Sequence, residues 1–335
     1  MRTAAAILVI FLAQCTHLRA EPKPGFRKEI GEILHSDSCI FGVKSMSIYL
    51  YNSKFQGKVI AENEICDNID PSKPIFFVVH GFISYANATI FRELSSRLAE
   101  KGNTVFALDW SQGACTDGIP LVKLLNYPFA VVNIHDISHL MARYTEFLIK
   151  CGIPLENITY MGHSLGAHVS GLAAKSIQKS QGNITLLIAA DPADPLLGYK
   201  KCEDRFCKSD AEHVVVLHTS PLGIGRAVGH LDLYFGDGTT QPGCMAVNVA
   251  CSHSKSVEYI TAMIEDNCGY RGDPKESSSL QWLSSWLPNS RRTKMNNVTE
   301  CVFINSNILD SNNFLEGEYT IKNPQCTQET SNCKQ

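Results

Sequence analysis

Residues 158–174, ITYMGHSLGAHVSGLAA, hold a serine between two glycines at the spacing Gly162-His163-Ser164-Leu165-Gly166. An apolar run, Ile158 to Met161, precedes the motif and small residues follow it. The pattern therefore sits where a strand turns sharply into a helix. A side chain on such a turn projects clear of both elements, and bulk two positions to either side would collide with the neighbouring strand and helix. Ser164 would open that helix, whose unpaired N–H groups favour negative charge developing beside the hydroxyl. The chemistry predicted from the motif is that of an activated, nucleophilic serine.

A serine hydroxyl needs a histidine base, itself held by a carboxylate. The favoured acid is Asp191, directly after the apolar run Ile184–Ala190, with Pro192 fixing the turn beyond it; catalytic groups of parallel sheets collect at such strand ends. Asp194 is its rival. His213 and His218 flank another apolar run and read as structural. Spacing alone does not choose between His230, in Gly229-His230-Leu231-Asp232, and His253, two residues after Cys251. An oxyanion needs two N–H donors. Leu165, next to the serine, is one. Phe82, in His80-Gly81-Phe82, is the other, with Gly81 allowing close backbone approach.

A scaffold must bring these groups together. Ile75–Val79 (IFFVV), Thr104–Leu108 (TVFAL), Ile184–Ala190 (ITLLIAA) and Val214–His218 (VVVLH) are continuous apolar runs, the mark of strands buried on both faces. A further strand is expected over Val43–Leu50. Helical spacing runs from Ala88 to Lys101, stopping at Gly102, and from Pro128 to Lys150, stopping at Gly152. Strands alternating with amphipathic helices predict an α/β chain with a mainly parallel sheet flanked by helices. The strand–elbow–helix transition selects the α/β-hydrolase version, in which acid and then base follow the serine along the chain. Trp110, just past a strand end, belongs to the core or the site wall. From about Asp266 the periodicity weakens into Ser, Asn and Cys. A disulfide-stapled tail of one domain, residues 39–335, is expected there in preference to a second domain.

Composition bounds the reading. The chain has 335 residues, 44% of them hydrophobic, and net charge −3, so it lacks the basic footprint of a nucleic-acid binder. Arg2, the apolar stretch Ala4–Ala13 and the segment ending Leu18-Arg19-Ala20 predict a secretory signal peptide over 1–20, too short to span a bilayer. Residues 21–38, with Pro22 and Pro24, read as an N-terminal arm or propeptide. Of 13 cysteines, Cys15 falls in the signal; the others suit an extracellular chain bridged by disulfides. Sequons at Asn87, Asn157, Asn183 and Asn297 are expected glycan sites. Asn157 and Asn183 immediately precede strands, which puts them on the strand-entry face. Trp282, Leu283, Trp286 and Leu287 fall close together, as an interface anchor or a packed helix.

The motifs VVHGF (78–82), ALDW (107–110), GHSLGAH (162–168), ADPADP (190–195), VGHLD (228–232), QPGC (241–244) and ACSH (250–253) follow one another as they do in the pancreatic lipase family. The chain resembles that family from about residue 40 to 265. The resemblance implies Ser164 as nucleophile, Asp191 as acid and His253 as base, leaving His230 structural. It also implies a bonded pair Cys244–Cys251, matching the lid cysteines. Here they enclose only Met245–Ala250, whereas the triglyceride lipases carry a far longer lid. The segment His218–Gly229, matching the family's β9 loop, is short as well. Both features look like the phospholipase A1 branch, most closely the secreted enzymes of wasp, hornet and ant venoms. The implied activity is hydrolysis of the sn-1 acyl ester of phospholipids by a monomer at a membrane or micelle surface. A triacylglycerol lipase or carboxylesterase is the alternative, and a non-catalytic lipid-binding homologue a remoter one. The lipid-binding C-terminal β-sandwich of the family is not matched. Its vertebrate calcium site would fall near Cys202–Asp210, where Cys202 and Cys207 stand at acidic positions. A local disulfide Cys202–Cys207 is expected instead, with no cofactor.

Overall fold

The computed structural model describes residues 39–43, 46–116, 120–265, 268–275, 301–310, 314–328 and 333. The expected signal peptide, N-terminal arm, tryptophan cluster and Asn297 sequon lie outside these residues.

The apolar runs form strands. β1 (Ser47–Tyr51), β2 (Gln56–Val59), β3 (Ile75–Val79), β4 (Thr104–Asp109), β5 (Ile158–His163), β6 (Ile184–Ala190), β7 (Ala211–His218), β8 (Leu231–Phe235), β9 (Tyr270–Pro274), β10 (Val302–Ile304) and β11 (Gly317–Ile321) join one sheet. Its order is β10-β9-β11-β8-β7-β6-β5-β3-β4-β1-β2. From β4 through β3, β5, β6, β7 and β8 to β11 every pairing is parallel. The pairings at both margins are antiparallel. The described helices are α1 (Thr89–Glu100), α2 (Pro120–Leu125), α3 (Tyr127–Lys150), α4 (Leu165–Gln178) and α5 (Val249–Ile264). This is the α/β-hydrolase fold.

Strand periodicity assigns the two cores. Ile75, Phe77 and Val79 point to one face, where they pack with Ile134, Ile137 and Met141 of α3 and Val169 and Ala173 of α4. Phe76 and Val78 point to the other, with Phe91, Leu94 and Leu98 of α1 and Val257 and Ile260 of α5. Each central strand is thus buried on both sides, which is why its sequence does not alternate.

The stretch after Asp266, aperiodic in sequence, supplies three short strands, and β11 enters the sheet between β8 and β9. Disulfides Cys268–Cys326 and Cys301–Cys333 tie this part together. Cys39–Cys115 and Cys66–Cys151 brace the N-terminal half, and Cys202–Cys207 and Cys244–Cys251 close two small loops.

Candidate active site

Ser164 lies between β5 and α4 with φ 58° and ψ −120°, a backbone conformation that L-residues avoid. The turn admits only glycine at the positions two residues before and after it. A Cβ at Gly162 would stand 2.3 Å from the Gly166 carbonyl oxygen, and one at Gly166 only 2.2 Å from that of Val79. Two backbone bonds hold the turn: Ser164 N–H donates to the Ala190 carbonyl at 3.1 Å, and Ala193 N–H donates to the Ser164 carbonyl at 3.3 Å. The elbow is therefore tied to the segment that carries Asp191.

Sheet register brings the remaining groups to the same edge. His163 pairs with Ala190, and Ala190 with Leu217, so the residues just beyond β5, β6 and β7 are neighbours. Asp191 is fully buried at φ 49°, with its N–H donating to the Leu217 carbonyl at 2.8 Å. Its Oδ2 accepts from His253 Nδ1 at 2.6 Å, and its Oδ1 from Thr219 N–H at 2.9 Å. His253 lies in the first turns of α5, whose cap Asn248 accepts from Cys251 N–H at 3.1 Å. Of the sequence candidates, Asp191 and His253 are thus in contact. Among the described residues no hydrogen bond joins Ser164 Oγ to His253. The Nδ1 proton of His253 goes to the carboxylate, so Nε2 is the nitrogen left to act as a base.

The other candidates are engaged elsewhere. His230 Nδ1 accepts from Val214 N–H at 3.1 Å, between β7 and β8. His213 stacks on Phe314 with ring centroids 4.1 Å apart. His218 Nε2 bonds the buried Asp232 at 2.8 Å, and Asp232 also accepts from Val228 N–H and Gly229 N–H, closing the loop before β8. Among the described residues no histidine bonds Asp194, whose N–H donates to the Leu222 carbonyl.

Two residues that sequence reasoning did not single out touch the pair. His163, the variable residue inside the elbow motif, has its ring 4.5 Å from that of His253 and donates Nε2–H to the His253 carbonyl at 3.2 Å. Burial drives its pKa well below the ordinary histidine value, so it packs there as a neutral ring. Ser220 places its Oγ 2.5 Å from Asp191 Oδ2 and 3.3 Å from His253 Nδ1.

Leu165 is the first residue of α4, where N–H groups have no intrahelical partner. Phe82 follows β3, its ring edge-on to Tyr127 at 5.1 Å. A Cβ at Gly81 would lie 2.7 Å from Ser164 Cβ, so the loop bearing Phe82 runs directly against the turn that carries Ser164.

The Cys202–Asp210 segment does not fit a calcium ion. Lys175 Nζ donates to the Arg205 carbonyl at 2.8 Å and to Asp210 Oδ1, while Cys207 N–H donates to Asp210 Oδ2 at 2.7 Å. Both oxygens of the buried Asp210 carboxylate are thus engaged by donors of the chain itself, Oδ1 by an ammonium group. Asn87 and Asn183 are exposed and Asn157 is half-buried. Asn157 and Asn183 adjoin the first residues of β5 and β6, the edge opposite Ser164. Trp110 is fully buried and stacked on His80, in the wall beneath Gly81.

The family model described as Lipase matches residues 51–295. A protein named Phospholipase A1 from Solenopsis invicta is 42% identical over the full length of both chains. One of the same name from Dinoponera quadriceps is 43% identical over 89% of this chain and 80% of its own. Among solved structures, an esterase from Pyrobaculum calidifontis aligns over 76% of this chain and 95% of its own at 12% identity, with a TM-score of 0.34.

Proposed function

The chain belongs to the lipase family, and from that premise we propose that it is a phospholipase A1, releasing the sn-1 acyl chain of phosphatidylcholine-type lipids through an acyl-Ser164 intermediate. The reading rests above all on the 2.6 Å bond between His253 Nδ1 and Asp191 Oδ2. His253 Nε2 takes the Ser164 Oγ proton as Oγ bonds the ester carbonyl carbon. Leu165 N–H and Phe82 N–H receive the oxyanion, a role in which loss of one donor costs about 10²- to 10³-fold in kcat. The C–O bond then breaks, and His253 returns the proton to the departing lysophospholipid oxygen. Water, activated by the same imidazole, hydrolyses the acyl ester, while Asp191 stays ionised and orients the ring.

The loop between Cys244 and Cys251 supports a phospholipid over a triglyceride, because six residues, Met245–Ala250, are too few to fold over and shield a deep apolar site. Leu196 and Tyr199 after β6, with Met245 and Val247 before α5, are exposed on loops of the edge that carries Ser164, which suits peripheral contact with a lipid surface. No described helix is long and apolar enough to cross a membrane. The reading also takes the protein as secreted after loss of residues 1–20 and acting as a monomer. In it, residues 39–335 form one catalytic domain, with glycans at Asn87, Asn157, Asn183 and Asn297.

Phosphatidylcholine labelled differently at sn-1 and sn-2 tests the assignment: acyl release is expected from sn-1 and abolished by Ser164→Ala. Release from sn-2, or faster turnover of emulsified triolein than of phosphatidylcholine, would refute it.

A further inference from the structure

Ser220 holds both oxygens of the Asp191 carboxylate. Its N–H donates to Oδ1 at 3.4 Å and its Oγ lies 2.5 Å from Oδ2, the same oxygen that accepts His253 Nδ1–H. Leu222 N–H donates to Ser220 Oγ at 3.2 Å. That bond fills a lone pair of the hydroxyl, and an ionised carboxylate can only accept. The Ser220 proton therefore points at Asp191.

This arrangement excludes Ser220 as a second nucleophile. The imidazole nitrogen near its Oγ is Nδ1, at 3.3 Å, and Nδ1 carries the proton shared with Asp191. A base must be unprotonated, and Nε2 is the available nitrogen. Ser220 is also 3% exposed.

We propose that Ser220 is a positioning residue for the hydrolysis: its hydroxyl locks the Asp191 carboxylate onto His253 Nδ1 and disperses part of the carboxylate's charge. The inference rests on the Ser164–Asp191–His253 reading given above. Three donors outside the imidazole stop the carboxylate from rotating: Thr219 N–H and Ser220 N–H on Oδ1, and Ser220 Oγ–H on Oδ2. Only the last shares its acceptor atom with the imidazole. It draws electron density from the oxygen that stabilises the imidazolium, and so tunes how readily His253 holds a second proton. The titratable groups facing His253 are Asp191 at the end of β6 and His163 at the end of β5, with His80 beyond His163. The two neighbouring histidines are buried and neutral, which leaves Asp191 as the charge that Ser220 modulates.

Ser220→Ala removes one donor and leaves both backbone donors in place. A hydrogen bond to a charged group of this kind corresponds to about a 10- to 100-fold loss in kcat. The acid limb of the kcat profile moves to higher pH, because the carboxylate, one donor short, holds the imidazolium more firmly. Ser220→Thr keeps the hydroxyl and restores both the limb and most of the rate.

The test compares kcat against pH for the full chain and these two variants on monomeric short-chain phosphatidylcholine. Thermal melting and labelling by a fluorophosphonate, with the modified serine located by mass spectrometry, run alongside. A lower kcat with a displaced acid limb in Ser220→Ala, reversed in Ser220→Thr, is the expected result. An unchanged profile, a loss equal at every pH, a displacement that persists in Ser220→Thr, or a Ser220→Ala chain that no longer folds would each overturn the proposal. In those cases label on Ser164 of the unmodified chain leaves the triad standing. Label on Ser220 of the unmodified chain would overturn both.

Discussion

Trp110 donates its backbone N–H to His80 Nε2 at 3.1 Å, and that bond settles which nitrogen of His80 carries the proton. With Nε2 accepting, Nδ1–H donates to the Gly81 carbonyl at 2.9 Å. The Gly81–Phe82 peptide is planar and trans, so holding its oxygen on one side turns the Phe82 N–H to the other. Burial lowers the His80 pKa to about 4, so the ring stays neutral near pH 7.

His80→Ala frees this peptide to rotate. The expected loss is about 10- to 100-fold in kcat with little change in KM, since the oxyanion bond strengthens only in the transition state. Inhibition constants of a boronate, which forms a tetrahedral adduct on the serine, should weaken in parallel. A drop in KM alone would separate His80 from the oxyanion.

Acid should destabilise the fold in a defined window. Burial lowers His80 and His168 from 6.5 to about 4, and it also holds His163 well below the ordinary histidine value. The unfolded chain takes up protons on these groups near 6.5 while the folded chain refuses them, so stability falls as pH drops from about 6.5 to 4. Asp210 opposes this trend. Burial raises its carboxyl from 3.8 to about 6, so the folded chain binds that proton first and gains stability as pH falls through about 6. The three buried histidines outnumber this carboxyl, so the expected balance across the window is proton uptake on unfolding. Urea unfolding free energies measured across this window give the slope directly.

The apolar runs of β3, β4, β6 and β7 were legible because both faces of each strand are buried, and burial on both faces leaves a continuous hydrophobic run. Ser164 and Asp191 were legible from the turns that follow two such runs. His253 was not separable from His230 by spacing, since the contact that distinguishes them spans 62 residues and needs α5 folded back over β6. β8 was hidden by Asp232, an acidic residue inside a strand, whose burial is matched by His218 and by the backbone N–H groups of Val228 and Gly229. Ser220 left one faint signal: it follows β7 as Asp191 follows β6, at the same sheet edge. Its side-chain contacts with Asp191 and His253 reach 29 and 33 residues away, and no local pattern encodes them.

Lys175→Met leaves Asp210 buried without its cation. Breaking a buried pair from one side costs about 3–5 kcal/mol, and the partial exposure of Lys175 puts this case at the lower end. Pairing the change with Asp210→Asn should recover most of the loss. A double-mutant cycle in urea reports the coupling, and additivity would show that the two groups act separately.

Met245→Ser with Val247→Ser removes exposed apolar side chains from the loop before α5 while sparing the bonded groups. Hydrolysis of phosphatidylcholine vesicles should fall about tenfold, while a water-soluble butyrate ester is turned over as before. Equal losses on both substrates would place the loop's effect on His253, two residues past Cys251.

β11 is the most C-terminal strand described, yet it sits inside the sheet, parallel to β8 and antiparallel to β9. Until the ribosome has released residues 317–321, the nascent chain presents β8 with a bare edge of unpaired backbone groups, an invitation to other strands. Ser164, Asp191 and His253 have all been translated by then. The strand that seals the β8 edge is thus the last described part of the sheet to be made.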